Sequence, residues 1–479
     1  MRFKLFVLAF LAFATLSCES FPEGVGRQSQ EKPMIFPDYE GVTVPCNIAP
    51  LNFSVMGADY VKAEISVDGV QKLVVKGRRG LVDIPVEEWQ KLLAECKGKS
   101  LSIAVQAWGE SEPQGVGYEP FEIAVSADEI DPWIAYRLIE PSYEGWQQMG
   151  LYQRNLSTFE EKVLVDNSVN NDGCVNCHSF KDYSPDEMMF HARGEGGGTV
   201  FYKDGELSKV SFPTIGPKKQ GVYPMWNPKG RFVAYSSNDT KQAFFAKGEQ
   251  KIEVYDKSSD LMIYDVERGE MLVDQRFMDS TRMETFPAWS PGGEYLYFCS
   301  ADPVQLPHGR KQLHYDILRV KFDAEKRTLA EQVDTVYYSR TDERSASFPR
   351  ISPDGRYLLY TSSDCATFPI WHNKADLAMI DLQSGVQVDI SQINSSQAES
   401  CHAWSSNGRW VVVGSRRLDA RFTRLYFAHI SADGKCGKPF LLPQQNPQHN
   451  TWRLKSYNVP EFIKGEVTLP KNQLKGLFK

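Results

Sequence analysis

Phe348-Pro349-Arg350-Ile351-Ser352-Pro353-Asp354-Gly355-Arg356-Tyr357-Leu358-Leu359-Tyr360 decides the fold of this chain. It reads as a strand, a tight Ser-Pro-Asp-Gly turn and a second strand of alternating character. The pattern recurs from Tyr223 to Tyr235 around Trp226-Asn227-Pro228-Lys229-Gly230, and from Phe286 to Phe298 around Trp289-Ser290-Pro291-Gly292-Gly293. A degenerate copy runs from Cys401 to Val413 around Trp404-Ser405-Ser406-Asn407-Gly408. Prolines 224, 287 and 349 are 63 and 62 residues apart, and His402 follows 53 later. A further strand ending in aspartate accompanies some copies, as at Leu261 to Asp265 and Leu377 to Asp381. Self-similarity at such a period marks a repeat architecture.

This pattern resembles the blade repeat of the TolB-like β-propellers over roughly residues 175 to 445. The resemblance implies a ring of β-blades whose face docks proteins or saccharides. A fifth copy starts at Cys177-His178-Ser179-Phe180 and continues through Tyr183-Ser184-Pro185-Asp186-Glu187-Met188-Met189-Phe190. There Glu187 replaces the turn glycine and three extra residues intervene, which predicts local distortion. Strands at Trp133 to Leu138 and Gly150 to Asn155, closed by Tyr457 to Phe462, supply a sixth blade. Joining both chain ends in one sheet removes an exposed edge. The expected fold is therefore all-β: an immunoglobulin-like sandwich over 41–130, then a TolB-like propeller over 131–465 and a tail over 466–479. Six blades are expected, with seven as the alternative.

The fifth copy also carries Gly173-Cys174-Val175-Asn176-Cys177-His178. This is the Cys-x-x-Cys-His form used to attach c-type haem. Two thiols three positions apart add to the two vinyl groups of one porphyrin, and the adjacent imidazole lies under the iron. One covalent haem c per chain is expected, on Cys174 and Cys177 with His178 as proximal ligand. A disulfide or half a zinc site is the other use of such a motif. Alignment puts Cys401-His402 where Cys177-His178 stands, on the strand that lies innermost in propellers of this type. His402 is thus a candidate sixth ligand. Met188, Met189 and His191 compete, because their strand returns beside the attachment loop. Methionine would raise the reduction potential relative to bis-histidine ligation. Of the two methionines Met188 is favoured, since Met189 alternates with Phe190 into a core.

The chain starts with Arg2 and Lys4, then an apolar run from Leu5 to Leu16 broken only by Thr15. That run is too short to span a bilayer and reads as an export signal. Cys18 follows Thr15-Leu16-Ser17, which resembles a bacterial lipobox, with Thr15 where leucine is usual. The expectation is a signal over 1–18, an acylated Cys18, and a flexible tether over 19–40 rich in proline and glycine. This implies a lipid-anchored protein of the bacterial cell envelope, at the periplasmic face or the outer-membrane surface. A net charge of -7 with dispersed basic residues offers no footprint for nucleic acid. Short alternating strands such as Leu51 to Val55 and Ala63 to Val67, with a hairpin turn at Asp68-Gly69, give the first domain its sandwich character. One helix is predicted over Val86 to Cys96, and that domain reads as a spacer or docking module. Cys46 and Cys96 fall within it and form either a disulfide or two buried thiols.

Three functions compete on these residues. One is a redox protein carrying haem c, which passes electrons or docks a redox partner. Another is a haem-free propeller binding proteins or saccharides, with the motif cysteines in a disulfide or holding a structural metal with Cys401 and His402. The third is an enzyme acting over the channel, although spacing defines no catalytic triad or carboxylate pair. Arg193-Gly194-Glu195-Gly196-Gly197-Gly198-Thr199 lacks the lysine and helix start of a phosphate loop and reads as a hairpin. Arg416, Arg417, Arg421 and Arg424 read as a solvated blade edge, or as partners for haem propionates or an acidic protein.

Overall fold

The computed structural model describes residues 21–140, 148–194, 196–218, 220–247, 250, 252–306 and 308–478. Among them, six four-stranded antiparallel sheets follow one another along the chain. We number them blades 1 to 6; they begin at Trp133–Ile139, Val175–Phe180, Val222–Trp226, Met283–Trp289, Ser345–Ile351 and Glu399–Trp404. The innermost strands of successive blades touch all the way round, which makes a ring. Blade 1 takes its innermost strand, Ser456–Ile463, from the far end of the chain, and this strand pairs antiparallel with Trp133–Ile139. The chain is therefore an all-β propeller of six blades, closed as the repeat pattern predicts.

The repeated motif has a local physical cause. In blade 5 the Ser352 hydroxyl accepts from the Tyr357 N–H at 2.8 Å, and Gly355 sits at φ 74°, a conformation L side chains resist. Ser290 and Gly293 repeat the arrangement in blade 4, and Ser405 and Gly408 in blade 6. The aspartate that ends the third strand also has a job. Asp381 accepts from the N–H groups of Gln383 and Ser384 and pairs with Arg356 from the motif turn. Asp265 does the same with Arg231 in blade 3. Motif tryptophans tie neighbouring blades: Trp289 Nε1 donates to Met225 O at 3.0 Å, and Trp404 Nε1 to Arg350 O at 3.2 Å. Blade 2 is distorted at its turn as expected, with Asp182 and Tyr183 both left-handed and Lys181 paired to Glu187.

The first domain has a seven-stranded and a three-stranded sheet with one helix, Val86–Glu95. Tyr60–Val67 buries every second residue, as one face of a sheet on a core requires. The helix buries Trp89, Leu92 and Leu93 at helical spacing, with Glu87 and Glu88 in its first turn. Three expectations are corrected here. Much of the segment read as a tether is folded: Arg27–Gln28 pairs with Val116 and Gly117, Ile35–Phe36 with Ser54 and Val55, and Tyr39 is fully buried. The domain is also no detached spacer, because one apolar core joins it to blades 1 and 6 through Trp410, Phe427 and Phe440. Polar contacts reinforce that seam. Asp131 accepts from Ser406 N at 2.7 Å, and Asp128 lies 2.8 Å from His429 Nε2. Of the two alternatives for Cys46 and Cys96, the structure shows two buried free thiols. The segment after residue 465 is no loose tail: Val467, Leu469 and Leu474 pack into the core of blades 1 and 2. The signal segment and Cys18 lie outside the described residues.

Candidate functional site

Every innermost strand carries one bulge, and at each bulge one residue adopts a left-handed backbone. These residues are Val459, Cys177, Tyr223, Phe286, Phe348 and Cys401, with φ between 46° and 52°. Left-handed conformations are uncommon for non-glycine residues, and their recurrence in all six blades shows that the ring architecture imposes them. The six side chains line one cavity of about 200 Å³ at the ring axis. Tyr223, Phe286 and Phe348 fill half of the axis, with centroids 4.2 Å apart for the first pair and 4.1 Å for the second. At the other three bulges stand the smaller side chains Cys177, Val459 and Cys401.

The Cys-x-x-Cys-His motif enters this cavity directly. Cys174 precedes the first strand of blade 2, where its carbonyl accepts from Arg193 N at 2.8 Å. The bulge between Asn176 and Ser179 breaks strand alternation, so Cys177 and His178 both line the cavity with Cys174. The two thiols are free, and burial pushes Cys177 up from the usual thiol value. His178 is buried, and neither ring nitrogen makes a hydrogen bond of normal geometry. The nearest anion is Glu461, with Oε1 3.8 Å from His178 Nε2 and Oε2 accepting from Phe180 N at 3.0 Å. Burial, with the neighbouring Arg137 guanidinium, pushes His178 down to about 3 despite the nearby Val459 carbonyl. Burial pushes Glu461 up to about 7. An imidazole held neutral with unpaired nitrogens can act as a metal ligand. The two thiols beside it can form thioethers or a disulfide.

The sixth-ligand assignments do not carry over. His402 follows the blade 6 bulge, but its ring stands 3.2 Å from Leu359 O and 3.5 Å from Thr361 Oγ1, and it lies off the cavity. Burial and Arg350 push it down to about 3. The bulge residue itself, Cys401, takes the inward position. Met188 is fully buried with Phe180 and Trp133 between blades 1 and 2, and Met189 packs with Phe201 and Trp226 toward blade 3. Neither reaches the cavity, because strand pairing commits both side chains to blade interfaces. His191 Nδ1 is 3.1 Å from Thr199 Oγ1. The arginine cluster is structural: Arg416 stacks on Trp371, Arg417 pairs with Glu399, and Arg424 donates to the carbonyls of Lys455 and Arg453.

Sequence reasoning missed Arg137 and Arg193 as cavity residues, both of which line it together with Cys401, the residue aligned with Cys177. Arg137 stands within Trp133–Ile139, a strand whose every residue is buried. Its Nη2 donates to Asn458 Oδ1 at 2.7 Å, while Nε has no partner. An arginine inside such an apolar run was the available signal.

No family model matches the chain, and no curated protein matches it. Solved structures similar to it include the tricorn protease, at 12% identity and TM-score 0.36, over 72% of this chain and 34% of that one. Two prolyl endopeptidases were described in another structure, which matches at 13% identity and TM-score 0.34, over 72% of this chain and 51% of that one. Dipeptidyl peptidase 4 of Porphyromonas gingivalis matches at 11% identity and TM-score 0.30, over 63% of this chain and 49% of that one. The chain spans between a third and about half of the length of these proteins.

Proposed function

We propose that this chain is an exported, lipid-anchored propeller that holds one covalent c-type haem at the channel cavity and serves electron transfer or redox-partner docking. The observation that carries the reading is the buried His178 imidazole, unpaired at both nitrogens, beside the free thiols of Cys174 and Cys177 on one cavity. Cys174 and Cys177 would hold the porphyrin by adding their S–H bonds across its two vinyl groups, and His178 would ligate the iron. Arg137 and Arg193 line the same cavity and offer cationic partners for carboxylates. The aromatic rings of Tyr223, Phe286 and Phe348 exclude water from one side. When bound, the haem supplies one-electron redox chemistry. Anchoring through acylated Cys18 at the bacterial envelope rests on the apolar run before it, and the partner would be a membrane-associated redox protein meeting the propeller face.

The decisive experiment is an absorption spectrum of the reduced protein in alkaline pyridine after acid–acetone extraction. A sharp α band that survives extraction is expected, and its absence removes the reading. Intact mass of the membrane fraction checks the anchor: the expected species begins at Cys18 and carries acyl mass.

One observation favours a second reading. The cavity, at about 200 Å³, lies below the roughly 300–1,000 Å³ of usual ligand pockets. The second reading is a haem-free propeller that binds proteins or saccharides, with Cys174 and Cys177 in a disulfide or a structural metal site. Its signature is a protein without an α band, and for the disulfide arm an unreduced mass two hydrogen atoms lighter than the reduced one.

A further inference from the structure

The first two strands of blade 3 run far beyond the blade, as Phe232–Phe244 and Ile252–Asp265. Their outer half pairs Thr240 with Asp256 and Phe244 with Ile252. This extension reaches the loop between Tyr357–Ser363 and Asp376–Asp381 of blade 5. There Glu253, Cys365 and His372 meet, all three buried, each offering a ligand atom within 4.8 Å of the others. We propose that these three side chains bind one divalent transition-metal ion of the zinc class.

The donor set favours such an ion. Imidazole nitrogen, thiolate sulfur and carboxylate oxygen are the three ligand types zinc takes, and three protein ligands leave a fourth position open. Glu253 and a deprotonated Cys365 together carry two negative charges, which a divalent cation cancels. A neutral assembly is what a buried site requires. The frame is also in place. His372 Nε2 is 3.0 Å from Glu253 Oε1, and Gln250 Nε2 donates to Glu253 Oε2 at 2.8 Å, orienting the carboxylate from behind. The loop is fixed by Ala366 N donating to Leu313 O at 2.7 Å and by Ser345 Oγ donating to Ala366 O at 2.6 Å.

A cavity of about 380 Å³ adjoins the three residues, and Arg310, Lys311 and Lys374 stand on its wall. It supplies the fourth position with water or an anion. Binding forms metal–sulfur, metal–nitrogen and metal–oxygen bonds and breaks the S–H bond of Cys365. That proton leaves to solvent, and no electrons change hands. The ion adds a tie between blade 3 and blade 5 where Ile252 and Val254 already pack in one apolar cluster with Ile370 and Trp371. This inference is independent of the haem reading, since zinc and iron are counted separately.

The test is metal analysis and cobalt titration of the full chain. One zinc per chain is expected to survive dialysis against metal-free buffer. Cobalt in its place is expected to give a thiolate-to-metal charge-transfer band in the near ultraviolet. Cys365→Ser should abolish that band, and His372→Gln should weaken binding by at least the roughly 10–100-fold that loss of an outer partner costs. Cys174→Ser with Cys177→Ser should leave zinc content unchanged. A folded wild-type chain that takes up neither ion overturns the proposal. So does a cobalt spectrum without the thiolate band, which decides the matter even where the variants fail to fold.

Discussion

Cys177 and Cys401 occupy one and the same position in two blades: each is the left-handed residue of its innermost strand, at φ 52°, and Val459 at φ 46° stands on the strand between them. The other three blades put aromatic rings there. The ring axis is therefore asymmetric, with rings on one side and small side chains on the other. Both sides line the cavity, together with Thr240, Gln242 and Val254 from the blade 3 extension.

Phe286 is the middle ring of the aromatic half, in contact with both Tyr223 and Phe348. Phe286→Ala removes both contacts without changing the backbone demand, since alanine meets the same left-handed strain. The expected loss is about 3–5 kcal/mol, the usual result for a buried phenylalanine. Denaturant midpoints of the two proteins measure it. A loss below about 1 kcal/mol would show that the rings do not hold the axis together.

The first domain and the propeller should unfold as one unit. Trp410 is fully buried in their shared core, and its Nε1 donates to Asp128 O at 3.2 Å. A chain beginning at Trp133 would expose Trp410, Phe427 and Phe440 together, a patch that promotes aggregation. Calorimetry of residues 21–479 is expected to give a single transition. Two well-separated transitions would contradict the shared core.

Much of the ring was legible because the blade turn depends on local chemistry. A serine or asparagine side chain, a left-handed glycine and a strand-ending aspartate recur in most copies, so Pro224, Pro287 and Pro349 could be lined up by eye. The equivalence of Cys177 and Cys401 came from the same alignment and holds. The direction of His402 was not legible, because a bulge breaks the alternation from which facing is normally read: after the bulge cysteine of blade 2 the histidine lines the cavity, and after that of blade 6 it does not. Met188 looked accessible on spacing, but facing is fixed by which blade packs against which side. Glu253, Cys365 and His372 left no pattern at all: a hairpin extension and a distant loop bring them together. The segment around Tyr39 was misread for a related reason, since prolines and glycines there serve short paired strands rather than a free linker.

Glu284 provides a pH test away from the channel. Burial pushes its carboxyl up to about 8, only partly offset by Arg282 and the Ser300 hydroxyl. Between an unfolded value near 4.5 and the folded value, the native state holds a proton that the unfolded state has released. Its contribution to stability is thus complete below about 4.5 and is lost as pH rises through 8, at up to about 1.4 kcal/mol per unit. Glu284→Gln keeps the shape and removes the titration. The variant should gain on the parent steadily from pH 5 to pH 8 in melting temperature. A constant difference across that range would show that Glu284 is ionised in the fold.

The two equivalent cysteines separate haem attachment from packing. Both thiols line the same cavity, Cys401 buried and Cys177 partly buried, and desolvation raises both, so a serine at either site is expected to cost about 1–3 kcal/mol. Only Cys177 has a second thiol three positions before it and an unpaired imidazole after it. The residue after Cys401, His402, is committed to Leu359 and Thr361. Cys177→Ser is therefore expected to leave a single thioether at Cys174, with a shifted α band and part of the haem lost to extraction. Cys401→Ser should keep the parent spectrum and differ only in stability. The reverse result would move attachment from blade 2 to blade 6 and end the reading of the motif, while unchanged haem in both variants would show that neither thiol is bonded to it.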